Sequence, residues 1–177
     1  MNRIIVFSKP NFQGESRQFS THVEDLLKTD FGSIIGSAKV CGQPWMAYEE
    51  PYMMLFVKVL EEGEYPNLSQ MKIKSIRIIP DDLENPSLTL FENTNFQGKR
   101  VVLTNETILA HVGFDNKTSS HYVSRGAWLL YMNADMKGRV LLARSGEINC
   151  DYKSCDFNET LSLVVPLKPG KPALSLP

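Results

Sequence analysis

The chain repeats itself. FSKPNFQG, Phe7 to Gly14, returns as FENTNFQG, Phe91 to Gly98, at a constant offset of 84 residues. Both copies read aromatic, four residues, Phe, one residue, Gly. Trp45-Met-Ala-Tyr48 returns as Trp128-Leu-Leu-Tyr131 at an offset of 83, and Ser37, eight residues before its Trp, returns as Ser120. The chain is therefore a duplication of a unit of roughly 80 residues, and a repeat of that kind restricts it to folds in which one supersecondary unit is used again. A weaker repeat divides each copy. Tyr48 lies 41 residues after Phe7, and Tyr131 lies 40 after Phe91. MNADMKG after Tyr131 puts Met136 and Gly138 in the Phe and Gly places, and EEPYMML after Tyr48 puts Met53 and Leu55 there. Four motifs in two pairs describe the chain, with the second motif worn down.

At 177 residues this gives two domains, 1–80 and 87–166, an acidic linker 81–86 bracketed by Pro80 and Pro86, and a Pro-rich tail 167–177. Domains this small bury a modest fraction of their surface, so each should lean on a neighbour or a ligand. A hydrophobic content of 42% suits a globular chain. Nineteen basic and twenty acidic residues are interspersed for a net charge of −1. That leaves no basic footprint for nucleic acid and no polybasic patch for a membrane. The first apolar run, Ile4 to Phe7, is too short for a signal peptide or a membrane span. A cytoplasmic location, or export without a signal peptide, is expected. Cys41, Cys150 and Cys155 do not make a disulfide framework. Cys150 and Cys155 could pair across a short loop in an oxidising place, and free thiols are the expected state.

Short β-rich runs dominate. Arg3–Phe7, Ser16–Phe19, Ser37–Cys41, Trp45–Tyr48, Leu55–Leu60 and Ser75–Ile79 read as strands of the first copy. Leu88–Phe91, Lys99–Leu103, Tyr122–Ser124, Trp128–Tyr131, Arg139–Ala143 and Leu161–Val165 read as those of the second. Gly14 is where the chain can take φ > 0, and Phe12 can fold over that hairpin. His22–Lys28 and Thr107–Val112 are at best a turn or two of helix. The run Met53-Met54-Leu55-Phe56 is expected to pack in a core, the alternatives being a distorted hairpin or an exposed patch for a partner. Many short strands with regular turns and almost no helix predict an all-β sandwich of Greek keys.

The pattern Phe7/Phe12/Gly14/Ser37, Tyr48/Met53/Leu55/Ser75, Phe91/Phe96/Gly98/Ser120 and Tyr131/Met136/Gly138/Thr160 resembles the βγ-crystallin superfamily. The Trp-x-x-Tyr segments and Glu61–Leu68 (EEGEYPNL) also look like that family. Within it, the Pro-rich end looks most like the amphibian epidermis differentiation-specific proteins and the crystallin half of crystallin–aerolysin fusions. The resemblance implies an all-β chain of two βγ-crystallin domains, each a sandwich of two Greek-key motifs, and no enzymatic activity.

Asp115-Asn-Lys-Thr-Ser-Ser120 matches the family's calcium pattern. Its donors are all oxygens, which suits a hard cation that takes six to eight of them at about 2.3–2.6 Å. One short loop cannot supply six, so a second must contribute. With Thr160 set against Ser120, Asp156 takes the place of Asn116 and Glu159 that of Ser119. The resemblance then implies one site using the Ser119 hydroxyl with the Asp156 side chain. The other would use Asn116, the Lys117 carbonyl and Glu159, with a hairpin carbonyl such as that of Glu92, and with Asp115 and Ser120 standing behind the ligands. Calcium is expected in the second domain. The first-domain equivalents, Gly32–Ser37 and Gln70–Ser75, lack carboxylates, so none is expected there.

His22, His111 and His121 have no spacing for zinc. Adjacent side chains on a strand point oppositely, so Ser119-Ser120-His121 is no triad, and no base is in place to activate a cysteine. The expected function is a non-enzymatic, calcium-binding structural protein. The alternative is a targeting module of an aerolysin-like pore-forming complex at membranes. Partners beyond calcium would be a protein or a membrane glycan or lipid, with the chain a monomer or homodimer.

Overall fold

The computed structural model describes residues 2–149, 151–155 and 157–170. These divide into two compact units, one of residues 2–80 with 169–170, the other Asp81–Lys168. The first contains β1 (Arg3–Lys9), β2 (Gln13–Phe19), β3 (Ser37–Cys41), β4 (Trp45–Glu50), β5 (Met54–Leu60), β6 (Gly63–Tyr65) and β7 (Ser75–Ile78). They form two antiparallel sheets, β2-β1-β3-β6 and β5-β4-β7. The second unit contains β8 (Ser87–Asn93), β9 (Gln97–Leu103), β10 (Thr107–Ile108), β11 (Ser120–Arg125), β12 (Ala127–Tyr131), β13 (Val140–Arg144), β14 (Ile148–Asn149) and β15 (Leu163–Pro166). Its sheets are β14-β11-β8-β9 and β10-β15-β12-β13.

Each motif lends a short strand, or in one case a single bridge, to its partner's sheet. β6 and β14 pair with β3 and β11, β10 pairs with β15, and Val23 bridges to Ile76. This exchange closes two Greek keys into one sandwich. The lent strands were not legible in the sequence, because two or three residues are too few to show alternation. His22–Lys28 supplies only one tight helical turn, Leu26–Lys28, opened by Asp25 accepting from the Leu27 N–H. Between the sheets lie Ile4, Val6, Leu26, Trp45, Leu60 and Ile76 in one unit, and Leu88, Leu90, Trp128, Leu130, Tyr152 and Phe157 in the other.

The repeated motif is a hairpin with a fixed backbone. Asn11, Phe12 and Gly14 have φ of 58°, 60° and 81°, and Asn95, Phe96 and Gly98 have 56°, 59° and 80°. This turns the Phe12 ring back onto Phe7, 5.6 Å away edge to face, and Phe96 onto Phe91 at 5.4 Å. The repeated serine clasps the hairpin from a neighbouring strand. Ser37 Oγ donates to the Lys9 carbonyl at 2.7 Å and accepts from the Phe12 N–H at 2.8 Å. Ser75 does the same for Glu50 and Met53, and Ser120 for Asn93 and Phe96.

Three expectations are corrected here. The run Met53–Phe56 is not core. Met54 is 63% and Leu55 59% exposed at the tip of the β4–β5 hairpin, and Met53 and Phe56 are half-buried. The reason is that the worn motif keeps the backbone of the intact ones. Tyr52, Met53 and Leu55 take φ of 59°, 58° and 60°, so Leu55 sits outward in the place of a turn glycine. The segment 81–86 is also more than a tether. Leu83 is buried, and Asp81 makes a two-point ion pair with Arg144 at 2.6 and 3.0 Å, both groups within the second unit. Leu167, placed in the tail by composition, is buried and donates its N–H to the Ala127 carbonyl at 2.8 Å. Among the described residues no helix is long and apolar enough to cross a membrane. Cys41 and Cys155 are free thiols, and Cys150 lies outside the described residues.

Candidate metal centre

In the second unit two loops lead into the strands that flank the aromatic corners. One, ending at Ser119, enters β11; the other, ending at Ser162, enters β15. They face each other through a reciprocal pair of backbone bonds. The Asn116 N–H donates to the Leu161 carbonyl at 3.1 Å, and the Glu159 N–H donates to the Thr118 carbonyl at 3.0 Å. Asn116 and Glu159 share a left-handed backbone, φ 54° and 56°. The Ser119 N–H donates to the Phe91 carbonyl at 2.9 Å, and the Ser162 N–H to the Tyr131 carbonyl at 3.0 Å. Ser120 lies opposite Phe91, and Leu163 lies opposite Tyr131.

Within the loops every equivalence has an offset of 43 residues, against 40 for Phe91 and Tyr131, which corrects the alignment made from the sequence. Leu163, not Thr160, is the counterpart of Ser120. Thr160 Oγ1 donates locally to the Phe157 carbonyl at 2.9 Å and clasps no hairpin. Glu159 therefore stands in the place of Asn116 rather than of Ser119, and Asn158 and Ser162 take the places of Asp115 and Ser119. Asp156 lies outside the described residues. Ser162 was missed because the sixth position of its loop is apolar. The signal that finds it is the Asn-Glu-x-x-Ser spacing of Asn158–Ser162, read without requiring a final hydroxyl.

The oxygens converge in part. Ser162 Oγ donates to Asn116 Oδ1 at 3.4 Å, across 46 residues of sequence. Asp115 Oδ2 accepts from Asn116 Nδ2 at 3.4 Å, and the Lys117 ammonium donates to the Gly113 carbonyl at 3.2 Å. Glu159 is exposed, Glu92 is half-buried on β8 one residue beyond the Phe91 carbonyl, and Ser119 is buried. The Ser120 hydroxyl is committed to the hairpin. Two buried oxygens within the loops, Thr118 Oγ1 and Asn158 Oδ1, have no hydrogen-bond partner. A buried polar atom is normally satisfied, so the loops hold unused oxygen donors. Among the described residues no three His, Cys, Asp or Glu side chains stand together as a metal cluster. The described loops offer hydroxyl, amide and carbonyl oxygens with the carboxylates of Asp115 and Glu159, a donor set that suits a hard cation.

Behind the loops, buried His121 shares a hydrogen bond through Nδ1 with the Tyr152 hydroxyl, and the Tyr152 N–H donates to the Ser119 carbonyl at 2.9 Å. Burial lowers the His121 pKa to about 4 and pushes the Tyr152 hydroxyl well above its ordinary range. The imidazole is therefore neutral at pH 7 and serves the packing of the loop.

Residues 3–79 and 87–163 each match the family model described as Beta/Gamma crystallin. The Epidermal differentiation-specific protein of Cynops pyrrhogaster is 40% identical over 176 residues, covering 99% of this chain and 52% of that protein. Beta-crystallin B2 of Mus musculus is 32% identical over 166 residues, covering 88% of this chain and 78% of the relative. Beta/gamma crystallin domain-containing protein 1 of Homo sapiens is 34% identical over 157 residues, 83% of this chain and 7% of that protein. The chain thus spans about half the length of the Cynops protein and a small part of the human one.

Proposed function

The chain belongs to the beta/gamma crystallin family, and we propose that it is a non-enzymatic structural member whose second unit binds calcium through the paired loops 115–120 and 158–163. The observation that carries this reading is the reciprocal clasp of those loops, which brings Ser162 Oγ to Asn116 Oδ1 across 46 residues of sequence. One calcium would be held by Asn116, the Lys117 carbonyl and Ser162. A second would be held by Glu159, the Thr160 carbonyl, Ser119 and the carbonyl of Glu92. Bound calcium would supply the positive charge that these oxygens from both loops could share.

Glu159 is the one carboxylate placed as a direct ligand among the described loop residues, so affinity should be modest, since affinity rises with ligand charge. In the first unit the corresponding segments, Gly32–Ser37 and Gln70–Ser75, carry no carboxylate, and no calcium is proposed there. No described residue favours the targeting-module reading over the structural one. Calorimetric titration with calcium tests the proposal on wild type, Ser162→Ala and Thr160→Ala. Binding that weakens about tenfold in Ser162→Ala and is kept in Thr160→Ala supports it. Equal binding by all three, or none by wild type, overturns it.

A further inference from the structure

The tip of the β4–β5 hairpin differs from its three counterparts in a consistent way. At the positions where the other hairpins carry Asn11, Asn95 or Asp135, it carries Tyr52. Where they carry Gln13, Gln97 or Lys137 it carries Met54, and where they carry Gly14, Gly98 or Gly138 it carries Leu55. Tyr52, Met54 and Leu55 are 57%, 63% and 59% exposed. Leu55 holds φ of 60°, a conformation that glycine takes freely and leucine does not. The fold thus tolerates backbone strain in order to present three large apolar side chains to the outside, where polar residues and a glycine serve the other copies.

Beside this tip lies a groove of about 510 Å³ whose lining includes Phe19, His22, Val23, Lys28 and Tyr52. The tip and the groove are tied together. The Tyr52 N–H donates to the Glu24 carbonyl at 2.7 Å, and the Lys28 ammonium reaches the Tyr52 hydroxyl at 3.2 Å. Exposed Leu27 stands next to Lys28. A convex apolar tip and a concave groove that share Tyr52 make one patch carrying both halves of a contact, which is what a two-fold symmetric pairing requires. The groove's rim carries both signs, Glu24 and Asp25 with Lys28, so two copies related by a two-fold axis can set the ammonium of each against the carboxylates of the other.

We propose that this face is a self-association surface, with Met54 and Leu55 of one copy seated in the Phe19–Val23–Tyr52 groove of a second copy. Methionine suits the role because its unbranched side chain fills irregular gaps. The patch is small, so the pairing is reversible and concentration-dependent, at the lower end of specific interfaces, about 1,000 Å² in total.

The test is sedimentation velocity on the full chain from micromolar to near-millimolar concentration. It uses wild type and a variant carrying the residues of the other hairpins, Tyr52→Asn, Met54→Gln and Leu55→Gly together. The single variant Met54→Gln serves as a second probe, and circular dichroism checks that each is folded. Wild type should move from 20.0 kDa towards twice that mass, while both folded variants stay monomeric. Wild type monomeric throughout, or variants that dimerise as wild type does, would overturn the proposal. So would a monomer that sediments with neutral lipid vesicles through the same three residues, which would make the tip a membrane contact instead.

Discussion

Leu55 holds a backbone conformation that its own side chain resists. A non-glycine residue in the left-handed region costs about 1 kcal/mol or more, and the equivalent positions of the other three hairpins are all glycine. Leu55→Gly should therefore stabilise the first unit by about 1 kcal/mol, raising its thermal midpoint by roughly 4–8 °C; a lowered midpoint would show that Leu55 is packed rather than strained. His121 makes the opposite kind of statement. Its folded pKa, about 4, lies below the ordinary value of 6.5 because burial disfavours the charged ring. The unfolded chain therefore binds the proton more readily. The stability that depends on the neutral ring is present above pH 6.5 and is lost as pH falls towards 4, on the order of 2–3 kcal/mol. Denaturant unfolding with chelator at pH 7 and at pH 4.5 should show that loss in wild type and a smaller one in His121→Phe.

At the scale of the element, the hairpin and the recurrence of its serine were legible in the sequence, while the clasp that the serine makes was not. An aromatic that folds back needs a turn glycine; both recur at an offset of 84, and Ser37 returns as Ser120 at 83. What could not be read was the fourth motif, because its clasp position is Leu163, and apolar residues carry no signature of a lost hydrogen bond. Anchoring on Thr160 instead shifted the metal loop by three residues and hid Ser162. The outward turn of Met54 and Leu55 was hidden for a related reason: apolar type predicts burial, and only the backbone of the hairpin says otherwise. Ser120→Ala should cost about 1–2 kcal/mol in denaturant unfolding, since it removes two part-buried hydrogen bonds, to the Asn93 carbonyl and from the Phe96 N–H. Thr160→Ala, which loses one local bond, should cost less than half as much. Equal costs would mean that Thr160 clasps a hairpin after all.

The whole molecule is one design used four times and specialised at two places. In the first unit the specialisation is the apolar tip of β4–β5. In the second it is the pair of loops crossing at Asn116 and Glu159, the place of the proposed calcium site. The short lent strands β6, β10 and β14 make each pair of motifs one cooperative body, so a ligand that fixes two loops should stabilise the entire second unit. At a hundredfold excess over Kd that stabilisation amounts to about 2.7 kcal/mol. The most direct measurement is thermal unfolding of the full chain in chelator and in millimolar calcium, with Ser162→Ala and Asn116→Ala beside wild type. Wild type should show an upward shift of several degrees, confined to one unfolding step and greatly reduced in both variants. An unchanged wild-type midpoint, or a shift that survives both substitutions, would contradict calcium binding at this site.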